Sequence, residues 1–213
     1  MKLGSFSVGQ VGVDCDTVLD SSSAPALKAA GLFFVVRYLG SLSAAELSTI
    51  LAAGLAVQLV TFSRAPGWTP SAELGTQDGA TDVQQLATLS VPQGVTVWID
   101  LEGVNPATPN AAAAVMAYVE ARAAALVAAG YVAGLYVGAG SLLTGASLYK
   151  LTGVTRYWQA FNQGIPEVAT CGYCQEQLYP PDQTISGIEV DYDVVSSDYL
   201  GRYPTGIFPG DPA

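Results

Sequence analysis

Two carboxylates, Asp100 and Glu102, stand two residues apart at the end of the run Val-Thr-Val-Trp-Ile over 95–99. In an extended strand residues i and i+2 project to one face, so this spacing sets both acids side by side where the strand ends. A buried apolar strand has no structural use for such a pair. Cleavage of a glycosidic bond does, since it takes one carboxyl as acid and another as base, nucleophile or electrostatic stabiliser. The plainer alternative is that Asp100 caps the next helix and Glu102 faces solvent, and Asp-x-Glu alone does not separate the two. Other apolar runs also end in acids. Asp14 follows Val8 to Val13, and Asp191 and Asp193 end the run that begins at Ile185.

The composition narrows the chemistry further. The chain contains no histidine, which removes Ser-His-Asp and Cys-His nucleophilic sites and any His-based zinc site. Carboxylates remain for acid–base work, with tyrosines as helpers. Of the three cysteines, Cys171 and Cys174 have a Cys-x-x-Cys spacing, but no second pair exists to complete a structural zinc site. A local clip or two plain thiols is the expected reading. Half of the residues are apolar and 12% are charged, as in a globular chain. The formal charge of −10 argues against nucleic acid or an anionic membrane as partner. No apolar run of membrane-spanning length is expected, and Met-Lys-Leu-Gly-Ser-Phe-Ser lacks the apolar core of a secretory signal. Any action on a cell wall would then follow release or delivery by another route.

The elements that must position these acids alternate. Strands are expected at 8–13, 33–38, 56–62, 95–101, 131–137, 155–161, 175–179 and 185–192. Helices are expected at 24–30, 43–53, 78–89, 111–129 and 141–151, with Ser43 and Glu46 at capping-box spacing and Asn110 as a cap. The loop 63–76 carries an exposed-looking Trp68. Such alternation means parallel strands with crossover helices, and eight strand candidates favour a closed barrel: an α/β fold, a compact (β/α)8-like TIM barrel over 1–200. The tail 201–213, with Pro204, Pro209 and Pro212, is expected to be irregular. No GxGxxG or GxxxxGK follows the first strand, so no nucleotide cofactor is implied.

In a barrel of this kind function gathers at the C-terminal strand ends. Asp14, Asp100, Glu102, Asp191 and Asp193 would then aim at one pit, with Tyr38, Tyr136, Trp158 and Tyr179 offering faces to sugar rings. Packing is the ordinary role of any single aromatic, and the clustered acids could instead hold magnesium or calcium.

These segments, in this order, resemble the lysozymes of glycoside hydrolase family 25 and, more closely, the related glycoside-hydrolase-like Rv2525c-like group, formerly unknown-function family 1906. Gly12-Val13-Asp14 resembles the first-strand Gly-x-Asp, and Phe34 to Leu39 the second strand of the closer group. Trp98-Ile99-Asp100-Leu101-Glu102 is similar to the Asp-x-Glu strand, and Tyr157-Trp158-Gln159-Ala160 to the sixth-strand motif. Gln177-Leu178-Tyr179 stands near a Trp-Gln-Tyr strand whose Trp is missing here. Gly187 to Val194 resembles the closing segment, with Asp193 where the lysozymes commonly carry Asn. The resemblance implies a glycosidase acting on N-acetylated amino-sugar glycans, a peptidoglycan muramidase, with no metal or other cofactor. It implies Glu102 as general acid, Asp191 and Asp14 shaping the pit, and Asp100 orienting or stabilising the reacting group. Arg37, Tyr38, Tyr136, Trp158, Gln177, Tyr179 and Asp193 would bind substrate. The alternative is a non-catalytic barrel that grips a glycan or a partner without turnover.

Overall fold

The computed structural model describes residues 1–162 and 164–210. Its centre is the apolar run of the Asp-x-Glu segment, strand β5 (Thr96–Leu101), buried at every position. In chain order the preceding elements are β1 (Lys2–Ser5), β2 (Val11–Asp14), α1 (Ser23–Ala29), β3 (Phe34–Tyr38), α2 (Ala44–Ala52), β4 (Ala56–Val60) and α3 (Ala72–Thr88). After β5 come α4 (Ala111–Ala128), β6 (Val132–Val137), α5 (Gly145–Tyr149), β7 (Val154–Gln159), β8 (Gln175–Gln177), β9 (Gln183–Ile185), β10 (Ile188–Val195) and β11 (Thr205–Phe208).

Strands β4, β3, β2, β10, β8, β7, β6 and β5 pair in that order, and a β4–β5 pairing closes the ring. The result is an eight-stranded, (β/α)8-like barrel. Neighbouring pairs are parallel except where β10 lies antiparallel to both β2 and β8. This departs from the all-parallel expectation for a physical reason. The connection from β8 to β10 holds only the short strand β9, which pairs with β10 as a hairpin, and a parallel pairing needs a long crossover.

Inside the barrel sit Phe34, Val36, Val60, Trp98, Tyr136 and Trp158, while Val13, Val35, Leu59, Val97, Ile99 and Leu135 face the helices. The bottom is plugged by aromatic contacts of Phe6 with Phe34 and Phe208 at centroid separations of 5.1 and 4.9 Å.

The tail is not irregular throughout. Thr-Gly-Ile-Phe, bracketed by Pro204 and Pro209, forms β11, which pairs with β1 and touches β4 at Val57. Thr205 stitches it to the start of β5, its N–H donating to Thr96 Oγ1 at 3.0 Å and its hydroxyl to the Gly94 carbonyl at 2.6 Å. Pro212 lies outside the described residues.

Helix α3 begins six residues before its expected start. Ser71 caps it, accepting from the Leu74 N–H at 3.1 Å. Gly75, which read as loop, and Gly79, in the first turn of the expected helix, are where α4 crosses: a Cβ at Gly75 would stand 2.2 Å from the Tyr118 carbonyl oxygen, and one at Gly79 would stand 2.7 Å from the Ala125 Cβ. Asn110 does not cap α4 through its side chain; it turns the chain in a left-handed conformation at φ 51°. Helix α4 is long and apolar enough to cross a membrane by length and composition, contrary to expectation: ten of its eighteen residues are alanine, each only weakly apolar. One face of it is committed to α3 through buried polar contacts. Arg122 bonds both Asp82 oxygens at 2.6 and 2.9 Å and the Tyr118 hydroxyl at 2.7 Å, and Tyr118 donates to Asp78 at 2.7 Å.

Candidate active site

At the mouth, β2 ends in Asp14, and the antiparallel register sets Asp191 of β10 directly opposite it. The reversed strand thus brings its early residues, not its end, to the mouth. Gln177 of β8 ties the two acids together. Its Nε2 donates to Asp14 Oδ2 at 2.9 Å and to Asp191 Oδ2 at 3.1 Å, while its Oε1 accepts from the Tyr136 hydroxyl at 3.2 Å and the Phe161 N–H at 3.4 Å. The Asp182 N–H adds a 2.6 Å bond to Asp191 Oδ1.

On the other side, Asp100 and Glu102 leave β5 on one face. Glu102 is half-buried and accepts from the Ser63 hydroxyl at 3.0 Å, and its own carbonyl accepts from the Trp68 indole N–H at 2.8 Å. Gly138 leaves room for it: a Cβ there would lie 2.6 Å from the Glu102 Cβ. Trp68, read as exposed, is half-buried through this bond and an edge contact with Tyr118 at 4.8 Å.

Asp14, Glu102 and Asp191 line a single pit of about 260 Å³. Its aromatic wall is Tyr38, Tyr136 and Trp158, the last two in edge contact at 4.5 Å, and Gln177, Phe161 and Asn162 complete the rim. A second cavity of about 200 Å³ shares Asp14, Tyr38 and Asp191 with the pit and adds Asp16, Asp182 and Glu189. Together they make a continuous acidic groove. Among the described residues no group of three or more acids or cysteines is arranged to hold a metal ion.

Crowding acids into a dry barrel weakens them as acids. Burial raises the Asp14 carboxyl to about 7, against the pull of the Gln177 hydrogen bond and with a further push from Asp191. Asp100 is raised well above the usual carboxylate range by burial and then by the Glu102 charge. Burial also raises Asp191, less the effect of the Asp182 N–H. The Tyr38 and Tyr136 hydroxyls are pushed up by burial and by the surrounding acids, so both remain neutral donors.

Four expected site residues do not line the pit. Arg37 is fully buried on the opposite face of β3 from Tyr38, since adjacent strand residues alternate. It pairs with Glu46 at 2.9 Å and donates to the Cys15 carbonyl, holding the loop after β2 against α2. That pairing also explains why Glu46 does not complete the capping box: its Oε1 is spent on Arg37 and on the Leu19 N–H at 2.9 Å. Asp193 is wholly buried below the pit, opposite Gly12 and Gln177. Asp100 forms part of the floor rather than the lining, and neither of its carboxyl oxygens has a hydrogen-bond partner among the described residues. Tyr179 lies beyond the end of β8, is 82% exposed and lines neither cavity.

Sequence reasoning passed over Ser63, Asp182 and Asn162. Each follows a strand on a loop at the mouth, which was the available signal, but their types are ordinary loop types. Cys171 and Cys174 are free, buried thiols, and burial raises Cys174 to about 12.

Comparison with known proteins is consistent with this geometry. The model of the Rv2525c-like, glycoside hydrolase-like domain matches residues 25–198. No curated protein matches the chain in sequence. Among solved structures, an uncharacterized B. stearothermophilus protein is 17% identical with a TM-score of 0.68, over 88% of this chain and 96% of that one. The Mycobacterium tuberculosis Tat-secreted protein Rv2525c, solved with L-tartrate, is 17% identical with a TM-score of 0.67, over 89% and 96%. The modular autolysin LytC of Streptococcus pneumoniae, solved with a synthetic peptidoglycan ligand, is 13% identical with a TM-score of 0.58; the match spans 87% of this chain and 46% of LytC. At these identities the likeness is one of fold.

Proposed function

This chain belongs to the Rv2525c-like, glycoside hydrolase-like domain family, and on that premise we propose that it is a glycosidase cutting N-acetylated amino-sugar glycans, with peptidoglycan as substrate and muramidase-type cleavage. The observation that carries the reading is the pit itself. Glu102 stands in one wall, Asp14 and Asp191 in another, and Tyr38, Tyr136 and Trp158 supply aromatic surface between them. Its volume lies below the roughly 300–1,000 Å³ of drug-sized pockets, as suits one ring held at the point of cleavage with the chain running along the groove. The fold shared with an autolysin solved with a peptidoglycan ligand supports the choice of glycan.

In this mechanism Glu102, oriented by Ser63, gives its proton to the leaving glycosidic oxygen. Asp100, beneath it and raised by burial and by the Glu102 charge, orients the acetamido group that attacks the ring. Asp14 and Asp191, clamped by Gln177, shape the opposite wall and accept hydrogen bonds from sugar hydroxyls or the incoming water.

The test is release of reducing ends from purified peptidoglycan by wild type, Glu102→Gln and Asp100→Asn, with product masses. Loss of the transferable proton should slow turnover by roughly 10²–10⁴-fold while glycan binding is kept, and Asp100→Asn should also damage turnover. Equal release from all three proteins would remove Glu102 as the acid. No release by wild type from several N-acetylated glycans, with binding retained, would leave the non-catalytic glycan-binding barrel as the function.

A further inference from the structure

Asp193 is the most deeply buried acid near the pit, fully enclosed, and neither carboxyl oxygen has a hydrogen-bond partner among the described residues. It lies on β10 two residues beyond Asp191 and faces the same way, across from Gly12 and Gln177. The groups around it are the Asp14 carboxyl from β2, Asp191 on its own strand and the Trp158 indole from β7, whose N–H is itself without a well-formed partner. Asp14 in turn faces Asp191, Asp193, Asp16 and the Gln177 amide, and its charge reaches the Tyr38 and Tyr136 hydroxyls on β3 and β6. Among the described residues, no Lys or Arg acts on Asp14 or Asp193.

Two adjacent buried carboxyls resist double ionisation, and their protons leave in two steps that belong to the pair. Which member keeps the last proton is decided by solvation. Asp14 reaches the pit and accepts the Gln177 N–H at 2.9 Å, which favours its charged form. Asp193 has no solvent, and the donor that favours its charged form, the Trp158 indole N–H, makes no well-formed hydrogen bond to it. We propose that Asp193 is a positioning residue that shares one proton with Asp14 and holds it, donating its O–H to Asp14 so that Asp14 turns an ionised oxygen toward the pit. The effect of burial and of the Asp14 charge, which push Asp193 well above the usual carboxylate range, agrees with this assignment. Its consequence for turnover rests on the glycosidase reading, but the proton sharing is measurable without substrate.

The experiment is a carbon-13 NMR titration of the aspartate carboxyl carbons in wild type and in Asp193→Asn, with unfolding measured across the same pH range. The wild-type Asp14 and Asp193 signals should move together in two steps separated by more than one pH unit. In Asp193→Asn, whose amide donates without a proton to lose, Asp14 should titrate in one step. For the linkage, a carboxyl raised in the folded state stabilises fully below its unfolded value, about pH 4, and that contribution is lost as pH rises through the folded value. The unfolding constant of wild type relative to Asp193→Asn should therefore increase by up to tenfold per pH unit above about pH 4. Parallel pH–stability curves, or an Asp193 signal that titrates alone at the ordinary carboxylate position, overturn the proposal. If Asp193→Asn does not fold, the wild-type titration alone decides between those outcomes. A two-step titration in a protein that cuts no glycan upholds the shared proton and removes only the glycosidase reading.

Discussion

Asp82 and Arg122 join α3 to α4 behind the Glu102 wall, and both side chains are completely buried. Burial pushes the Asp82 carboxyl up and the guanidinium pulls it back, while Asp82 holds Arg122 in its charged form. Two contacts at 2.6 and 2.9 Å are the geometry of the ionised pair. Asp82→Ala leaves the guanidinium with the Tyr118 hydroxyl and only the more distant Asp78 charge, which Arg64 already pairs. Stripping one partner from a buried pair costs about 3–5 kcal/mol. For a chain of this size each kcal/mol moves the melting temperature by about 2–4 °C, so a fall of roughly 6–20 °C is expected. The paired replacement Asp82→Leu with Arg122→Met removes both charges and should return to within about 1 kcal/mol of wild type, since the desolvation cost goes with them. Urea unfolding monitored by tryptophan fluorescence, with the m-value checked for constancy, measures all three proteins. A loss below about 1 kcal/mol for Asp82→Ala, the range of exposed pairs, would refute the reasoning. So would a double variant no more stable than the single one.

Two further outcomes follow from the site. Gln177→Leu removes the N–H that most favours the ionised form of Asp14, so Asp14 should titrate above its wild-type value of about 7; stability would then be lost over a wider pH span above about pH 4, and an unmoved Asp14 signal would count against the clamp. Replacing Cys171 and Cys174 together with Ser should leave turnover on a confirmed substrate within a few-fold, because neither thiol lines the pit; a loss of orders of magnitude with the fold intact would mean the loop has a chemical role.

The sequence alone placed every strand of the closed ring to within a few residues, because buried β-branched and aromatic runs between glycines and prolines are a local signal. It also carried the pairing of Asp100 with Glu102, which depends only on the two-residue period of a strand. The same period, followed one residue further, decides between Tyr38 and Arg37, but which face is inside is not local: Arg37 turns outward because Glu46 on α2 waits there. A glycine misled in a similar way. Gly75 reads as loop until α4 is laid across it and across Gly79, where the missing side chains become the contact.

Only the tertiary structure decided how the last quarter of the chain meets the first. Nothing local in 188–195 says that this strand runs backwards, and its direction follows from the short connection before it and from the gap left between β2 and β8. That reversal sets Asp191 at the mouth opposite Asp14 and drives Asp193, two residues on, into the closed interior. A carboxyl at the rim and a carboxyl under the floor read alike in sequence. Their chemistry separates because solvent reaches one and not the other, and solvent access is a property of the closed barrel.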